Sequence, residues 1–172
     1  MHKLRNAHGD SEADLKSRLE KIAGKGKVYV LGLGNTDRAD DGAGILVAES
    51  LKKHFPSNSF SEHDGVEGIV LDISEKKEIS TILFVDAADL RLDPGSIVVV
   101  SKEDIREREI TTHRVAVALL ASLLKSNGKD SAVICIQPAT IQFRGEISEP
   151  VAGAVNKLVR LLEEIMETRN RR

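Results

Sequence analysis

Aromatic side chains are scarce in this chain: no tryptophan, one tyrosine and four phenylalanines, 3% of 172 residues. That argues against a stacking platform for unpaired bases. Cys135 is the single cysteine, so no internal disulfide can form. A lone thiol within an apolar run reads as core packing in a reducing compartment. Charge of one sign is lacking too. The 25 Lys and Arg against 27 Asp and Glu leave a net charge of −2, with no broad basic footprint for nucleic acid. No apolar run nears the roughly 20 residues that a membrane-crossing helix needs. The segment Met1-His2-Lys3-Leu4-Arg5-Asn6-Ala7-His8 is polar. It holds no apolar stretch of a signal peptide, so a cytoplasmic location is expected.

What the chain does hold is enough apolar residues, 41%, for one sizeable core. Its pattern alternates strand and helix. Residues 11–22 read as a helix with Ser11 or Asp10 as cap and Leu15, Leu19 and Ile22 as its apolar stripe. Lys27–Leu33 reads as a strand, and Asp41 to about His54 as a helix with Ile45, Leu46, Ala48 and Leu51 inward. A short strand at Ser59–His63 precedes the Asp64-Gly65 turn, and a short helix is expected around Ile69–Ile73. Thr81–Asp86 is nearly continuous apolar sequence, as in a parallel strand covered on both faces. Strands at Ser96–Ser101 and Ser131–Gln137 flank a helix from His113 to about Lys125, with Thr112 as its cap. A final helix runs from Glu149 to Thr168.

This alternation predicts a three-layer α/β sandwich. A twisted, mostly parallel sheet of about five strands lies between helices, with one extra helix at the N-terminus. The expected organisation is an extension over 1–26, a single α/β domain over 27–168 and a charged tail over 169–172 that frays. In such folds ligands sit beyond the carboxyl ends of the strands, near the switch point. That rule singles out Asp41 after the first strand, Asp86 at the end of the third, and His113 at a helix start.

The segment Val30-Leu31-Gly32-Leu33-Gly34-Asn35-Thr36-Asp37-Arg38-Ala39-Asp40-Asp41-Gly42-Ala43-Gly44 is the most informative stretch. Gly32 and Gly34 open a G-x-G-x-x-G pattern, but Asp37 stands where the third glycine would fall. Asp37, Asp40 and Asp41 would also repel a pyrophosphate, and no Gly-Lys-[Ser/Thr] of a P-loop follows. Two adjacent carboxylates suit metal binding or proton handling instead. For Asp40 the structural alternative, a carboxylate capping the helix start, is favoured. For Asp86, a phosphatase of the haloacid dehalogenase type would need a second aspartate where Ala88 stands. A Gly-x-Ser-x-Gly nucleophile turn and a His-Glu-x-x-His zinc motif are both missing. Asp41, Asp86 and His113 together form an O, O, N donor set fit for nickel, zinc or manganese with open positions.

These motifs, taken in order, resemble the hydrogenase maturation endopeptidases. The resemblance spans roughly Val28 to Ile165. It rests on Gly32-Leu33-Gly34-Asn35 followed by Asp40-Asp41-Gly42-Ala43-Gly44, and on Phe84-Val85-Asp86-Ala87-Ala88-Asp89 with Asp93-Pro94-Gly95. Thr111-Thr112-His113 and Ile136-Gln137-Pro138 complete it. It implies an endopeptidase that removes a C-terminal extension from the nickel-loaded large-subunit precursor of a [NiFe]-hydrogenase, with the nickel supplied by that substrate. It implies that Asp41, Asp86 and His113 are the nickel-contacting and catalytic trio. Gly34, Asn35, Asp40 and Gly42, with Asp64 and Gly65 from the next loop, are then the substrate-contacting segments. Other divalent metals are compatible with the same donors. Water activation is open between the metal and a carboxylate base, Asp40 included. A metal-free aspartic-type mechanism would need two carboxylates sharing a proton. The alternatives are a nickel-holding metallochaperone and a non-catalytic α/β ligand-binding module. Neither nucleic acid nor membrane insertion is expected.

Overall fold

A computed structural model describes residues 10–101 and 114–170. Its five strands are β1 (Lys27–Gly32), β2 (Ser59–Ser61), β3 (Ile79–Ala87), β4 (Ile97–Ser101) and β5 (Asp130–Ile136). Five α-helices accompany them among the described residues: α1 (Glu12–Ala23), α2 (Ala43–Lys52), α3 (Val66–Ser74), α4 (Arg114–Ser126) and α5 (Glu149–Asn170). The strand order is β2-β1-β3-β5-β4. All neighbours run parallel except β4, which pairs antiparallel with β5. The expected sandwich is therefore present, with a mixed sheet.

Strand alternation splits the core into two layers. Val28, Val30, Leu83, Val85, Ile134 and Ile136 face a layer built from α1, α2 and α5. Tyr29, Leu31, Ile82, Phe84, Val133 and Cys135 face the layer of α3 and α4. Cys135 is 1% exposed, the core role its apolar context predicts. Burial, with the negative charge of Asp86 beside it, pushes its thiol pKa upward.

The N-terminal helix is built into the first layer, where Leu15, Leu19 and Ala23 are fully buried. It also shields the free edge of β4. Asp10 N donates to Ile97 O at 3.2 Å, and Arg18 Nη2 donates to Val99 O at 2.8 Å. Arg18 Nη1 pairs with Asp10 Oδ2 at 2.5 Å. An unpaired strand edge is a template for aggregation, and these contacts occupy it.

Three details depart from the sequence reading. Asp41 does not open an α-helix: Ala39–Gly42 is a 3-10 turn, and α2 starts at Ala43. Ala39 adopts φ +48, which swings the chain before the helix can propagate. Leu46 faces outward, 37% exposed, and Val47 takes the inward place, because the buried stripe of α2 steps through Gly44, Val47, Ala48 and Leu51. The last helix runs past the expected end at Thr168. Helix α5 continues to Asn170, whose side chain accepts from Val28 N at 2.9 Å and donates to Val28 O at 3.1 Å. That amide stands in for a neighbouring strand beyond the end of the short β2. The proposed cap Thr112 lies outside the described residues.

Candidate active site

The topology makes a switch point at the carboxyl ends of β1 and β3. From β1 the chain crosses by α2 on one face to β2. It returns by α3 on the other face to β3, on the opposite side of β1. Such a point leaves a crevice between diverging connections. The β1–α2 turn and the end of β3 meet there, with Gly32 in register with Val85 and Leu33 N donating to Val85 O at 2.8 Å.

Close backbone approach positions the turn. Gly34 has φ +132, and a Cβ there would fall 1.9 Å from Asp41 O. A Cβ at Gly44 would fall 2.2 Å from Val85 O and 2.3 Å from Leu33 O. The glycines of this turn thus press the 3-10 turn onto the ends of two strands. Asn35 closes the turn, since its backbone N donates to Asp41 O at 3.1 Å and its Oδ1 accepts from Asp37 N at 2.9 Å. Gly42 lies against Thr36, where a Cβ would come within 3.0 Å of Thr36 Cα.

Asp41 emerges from this turn half-buried. Asp86 sits one residue beyond Val85 on β3, fully buried, on the α3/α4 face and in register with Cys135. The structure therefore brings the turn carrying Asp41 and the strand end carrying Asp86 to one edge of the sheet. His113 lies outside the described residues. Its successor in sequence, Arg114, opens α4. That helix ends where Lys129 N donates to Leu124 O at 2.9 Å, at the amino end of β5. Thirteen helical residues span about 20 Å, close to the length of β5, so α4 begins near the carboxyl edge. Among the described residues no three His, Cys, Asp or Glu side chains gather closely enough to hold a metal ion.

Asp40 behaves differently from its neighbour. It is fully buried, and its Oδ2 accepts from Ala139 N at 2.8 Å, Thr140 N at 3.1 Å and Ser148 Oγ at 2.8 Å. Its Oδ1 accepts from Ser148 N at 2.7 Å, and its own backbone N donates to Thr140 O. Burial alone would raise its pKa, but these donors outweigh it and hold the carboxyl below its ordinary value. The side chain faces the loop between β5 and α5, away from solvent. Sequence reasoning missed Ser148. Its only local signal is the Ser-Glu-Pro start of α5, which reads as a helix cap, and its partner lies more than a hundred residues away.

Gln137 organises the loop that leaves β3. Its Oε1 accepts from Leu90 N at 2.6 Å and Leu92 N at 3.3 Å, just beyond Asp86. In the second candidate substrate loop, Gly65 is exposed and Asp64 binds Lys52 Nζ at 2.7 and 2.8 Å and Ser61 N at 2.9 Å. An open groove of about 420 Å³ borders the first turn on the α2 side, lined by Thr36, Ala39, Gly42, Leu46 and Gly145–Ile147. Ile141 and Phe143 project from the adjoining loop, 46% and 65% exposed.

A mixed-sheet α/β fold with a carboxylate-bearing switch point defines a broad class, the α/β proteins whose sites lie at the carboxyl ends of their parallel strands. Comparison with known proteins narrows it. The family model for hydrogenase maturation proteases matches residues 45–165. The hydrogenase 3 maturation protease of Escherichia coli K12 is 32% identical over 137 residues, covering 78% of this chain and 87% of that protein. The crystal structure of the [NiFe] hydrogenase maturation protease HycI from Thermococcus kodakarensis superposes with a TM-score of 0.74 at 28% identity. That match covers 87% of this chain and 99% of the other. The solution structure of the endopeptidase HycI from E. coli gives 0.66 at 28% identity, over 80% and 90% of the two chains. The chain belongs to the hydrogenase maturation protease family, and it is a peptidase.

Proposed function

We propose that this peptidase removes the C-terminal extension of a [NiFe]-hydrogenase large-subunit precursor once that precursor carries nickel, and that Asp41, Asp86 and His113 recognise the metal. The observation that carries the reading is the meeting of the Asp41 turn with the Asp86 end of β3 at the switch point. Family membership supplies the substrate class. Two carboxylates and an imidazole are donors that suit a borderline divalent ion. Nickel held by the substrate would polarise the scissile carbonyl or acidify a water beside it. Asp86 is shut from solvent at the end of β3, beside the strand end from which the Asp41 turn leaves. Asp41, still partly open, is the carboxylate able to reach a water or the incoming peptide. Metal recognition then makes cleavage a checkpoint, since an empty precursor is not drawn into place. The buried lone thiol Cys135 suits a reducing cytoplasm.

The test is a cleavage assay followed by intact mass. A nickel-loaded precursor is expected to lose a discrete C-terminal fragment, and the nickel-free precursor to stay whole. Asp86→Asn is expected to lower the rate at least a hundredfold while leaving the circular dichroism spectrum unchanged. Cleavage regardless of nickel would discard the checkpoint. A fully active Asp86→Asn enzyme would discard the trio. Tight nickel binding without cleavage of any loaded precursor would favour a metallochaperone.

A further inference from the structure

The first aspartate of the Asp40-Asp41 pair has no place in the chemistry above, yet its buried carboxylate accepts four hydrogen bonds. Resting on the proposed function, we propose that Asp40 is a positioning residue. Its buried carboxylate clamps the β5–α5 loop onto the 3-10 turn and thereby holds Asp41 in its working place.

Four donors converge on Asp40, two from each end of that loop. Ala139 N and Thr140 N come from its start, Ser148 N and Oγ from its finish. One bond runs in the opposite sense, Asp40 N donating to Thr140 O at 3.2 Å, and the loop donates once more from Arg144 N to Asp37 O at 2.7 Å. The turn and the loop are thus joined at Asp37 and at Asp40, the residue directly before Asp41. Both surfaces are irregular backbone, and both hold non-glycine residues at positive φ: Ala39 at +48 and Arg144 at +57. Such a conformation persists only where its surroundings over-determine it. Charge-assisted hydrogen bonds are the strong kind, and one carboxylate here restrains two segments about a hundred residues apart.

The link to Asp41 is covalent and short. Asp41 is the next residue, its N donates to Arg38 O at 3.1 Å, and its O accepts from Asn35. If Asp40 lets go, the 3-10 turn loses its outer wall while Gly34 and Gly44 still hold its inner one. The expected fault is a small displacement of Asp41, and misplacement by about 1 Å can cost a hundredfold in rate.

Asp40→Asn is the informative variant. Asparagine has one acceptor oxygen, so its amide nitrogen must face a donor, Ser148 N or the Ala139 and Thr140 amides. Ser148→Ala is the milder companion, removing one donor and leaving the charge with three. Activity is measured on a nickel-loaded large-subunit precursor that the unaltered protein cuts, well below each variant's melting temperature. Amide hydrogen exchange is followed at Ala139, Thr140 and Ser148. Asp40→Asn is expected to lower kcat ten- to a hundredfold with KM changed less than threefold, and to speed exchange at those three amides. Ser148→Ala is expected to lower kcat about threefold, and the double variant to lose less than the product of the two. A folded Asp40→Asn protein with unchanged kcat, losing only thermal stability, would overturn the inference. If Asp40→Asn fails to fold, an unchanged kcat in Ser148→Ala together with faster exchange at the same amides would overturn it equally. A wild-type protein that cuts no loaded precursor removes the proposed function and this inference together. A wild type that cuts beside an equally fast Asp40→Asn removes this inference alone.

Discussion

Asp64 and Cys135 show how context sets the chemistry of single side chains here. Burial pushes the Asp64 pKa up, but the Lys52 hydrogen bond, the Ser61 amide and the nearby Lys52 charge bring it below its ordinary 3.8. A carboxyl whose folded-state pKa is depressed adds stability that is fully present above the unfolded value. That stability is lost as pH falls through the folded one. Asp64→Asn is therefore expected to cost about 0.5–1 kcal/mol at pH 7, as for a mostly exposed pair. The cost should shrink as pH falls through the folded-state value, which lies below 3.8. Melting temperatures of both proteins, measured from pH 7 down to 2, check this. A gap that widens with acid would contradict the assignment. Cys135 should resist alkylation in the native protein, because a buried thiol with a raised pKa offers no thiolate. Labelling at a native-state rate close to that of the unfolded chain would contradict its burial.

The β1–α2 connection was legible as a special turn, yet not as this turn. Its glycines, its acidic pair and its place after an apolar strand are all local signals. The 3-10 start and the outward Leu46 are not, because they depend on Ala39 turning to positive φ under the β5–α5 loop. The close approach makes a sharp contrast between two glycines. Gly44→Ala puts a methyl within 2.3 Å of two carbonyl oxygens. Overpacking of this kind typically costs about 1–3 kcal/mol, and more when backbone must move. Gly68 lies within α3, where an added Cβ meets nothing within 4 Å. Gly68→Ala is expected to stabilise by about 0.5–1 kcal/mol through helix propensity. Chemical denaturation of both variants gives the comparison, and Gly44→Ala is also expected to lose cleavage because α2 can no longer seat the turn.

Taken as one body, the molecule uses its first and last described helices to finish the sheet. Helix α1 covers the β4 edge and fills the first core layer, while Asn170 closes the open backbone of Val28. Leu15→Ala is expected to cost about 2–5 kcal/mol, the range for a fully buried leucine. Leu71→Ala, at a position 57% exposed, is expected to change stability by less than about 0.5 kcal/mol. Urea unfolding of the two variants distinguishes a helix that belongs to the core from one that merely rests on it. A Leu15→Ala loss as small as that of Leu71→Ala would show that α1 contributes little to the fold.

Much of this protein follows from nearest-neighbour chemistry along the chain. Apolar runs, helix caps and turn residues act over a few positions, so the α/β alternation, the buried Cys135 and the candidates Asp41 and Asp86 could be read directly. The order of the strands, the antiparallel β4, the edge role of α1 and the clamp from Asp40 to Ser148 could not. They depend on hydrogen bonds between residues separated by roughly 30 to 110 positions, and no local pattern encodes which distant amide a buried carboxylate will meet. Asp40 and Asp41 are the same residue type side by side. Only the packing of the β5–α5 loop over the turn buries the first completely and leaves the second half-buried.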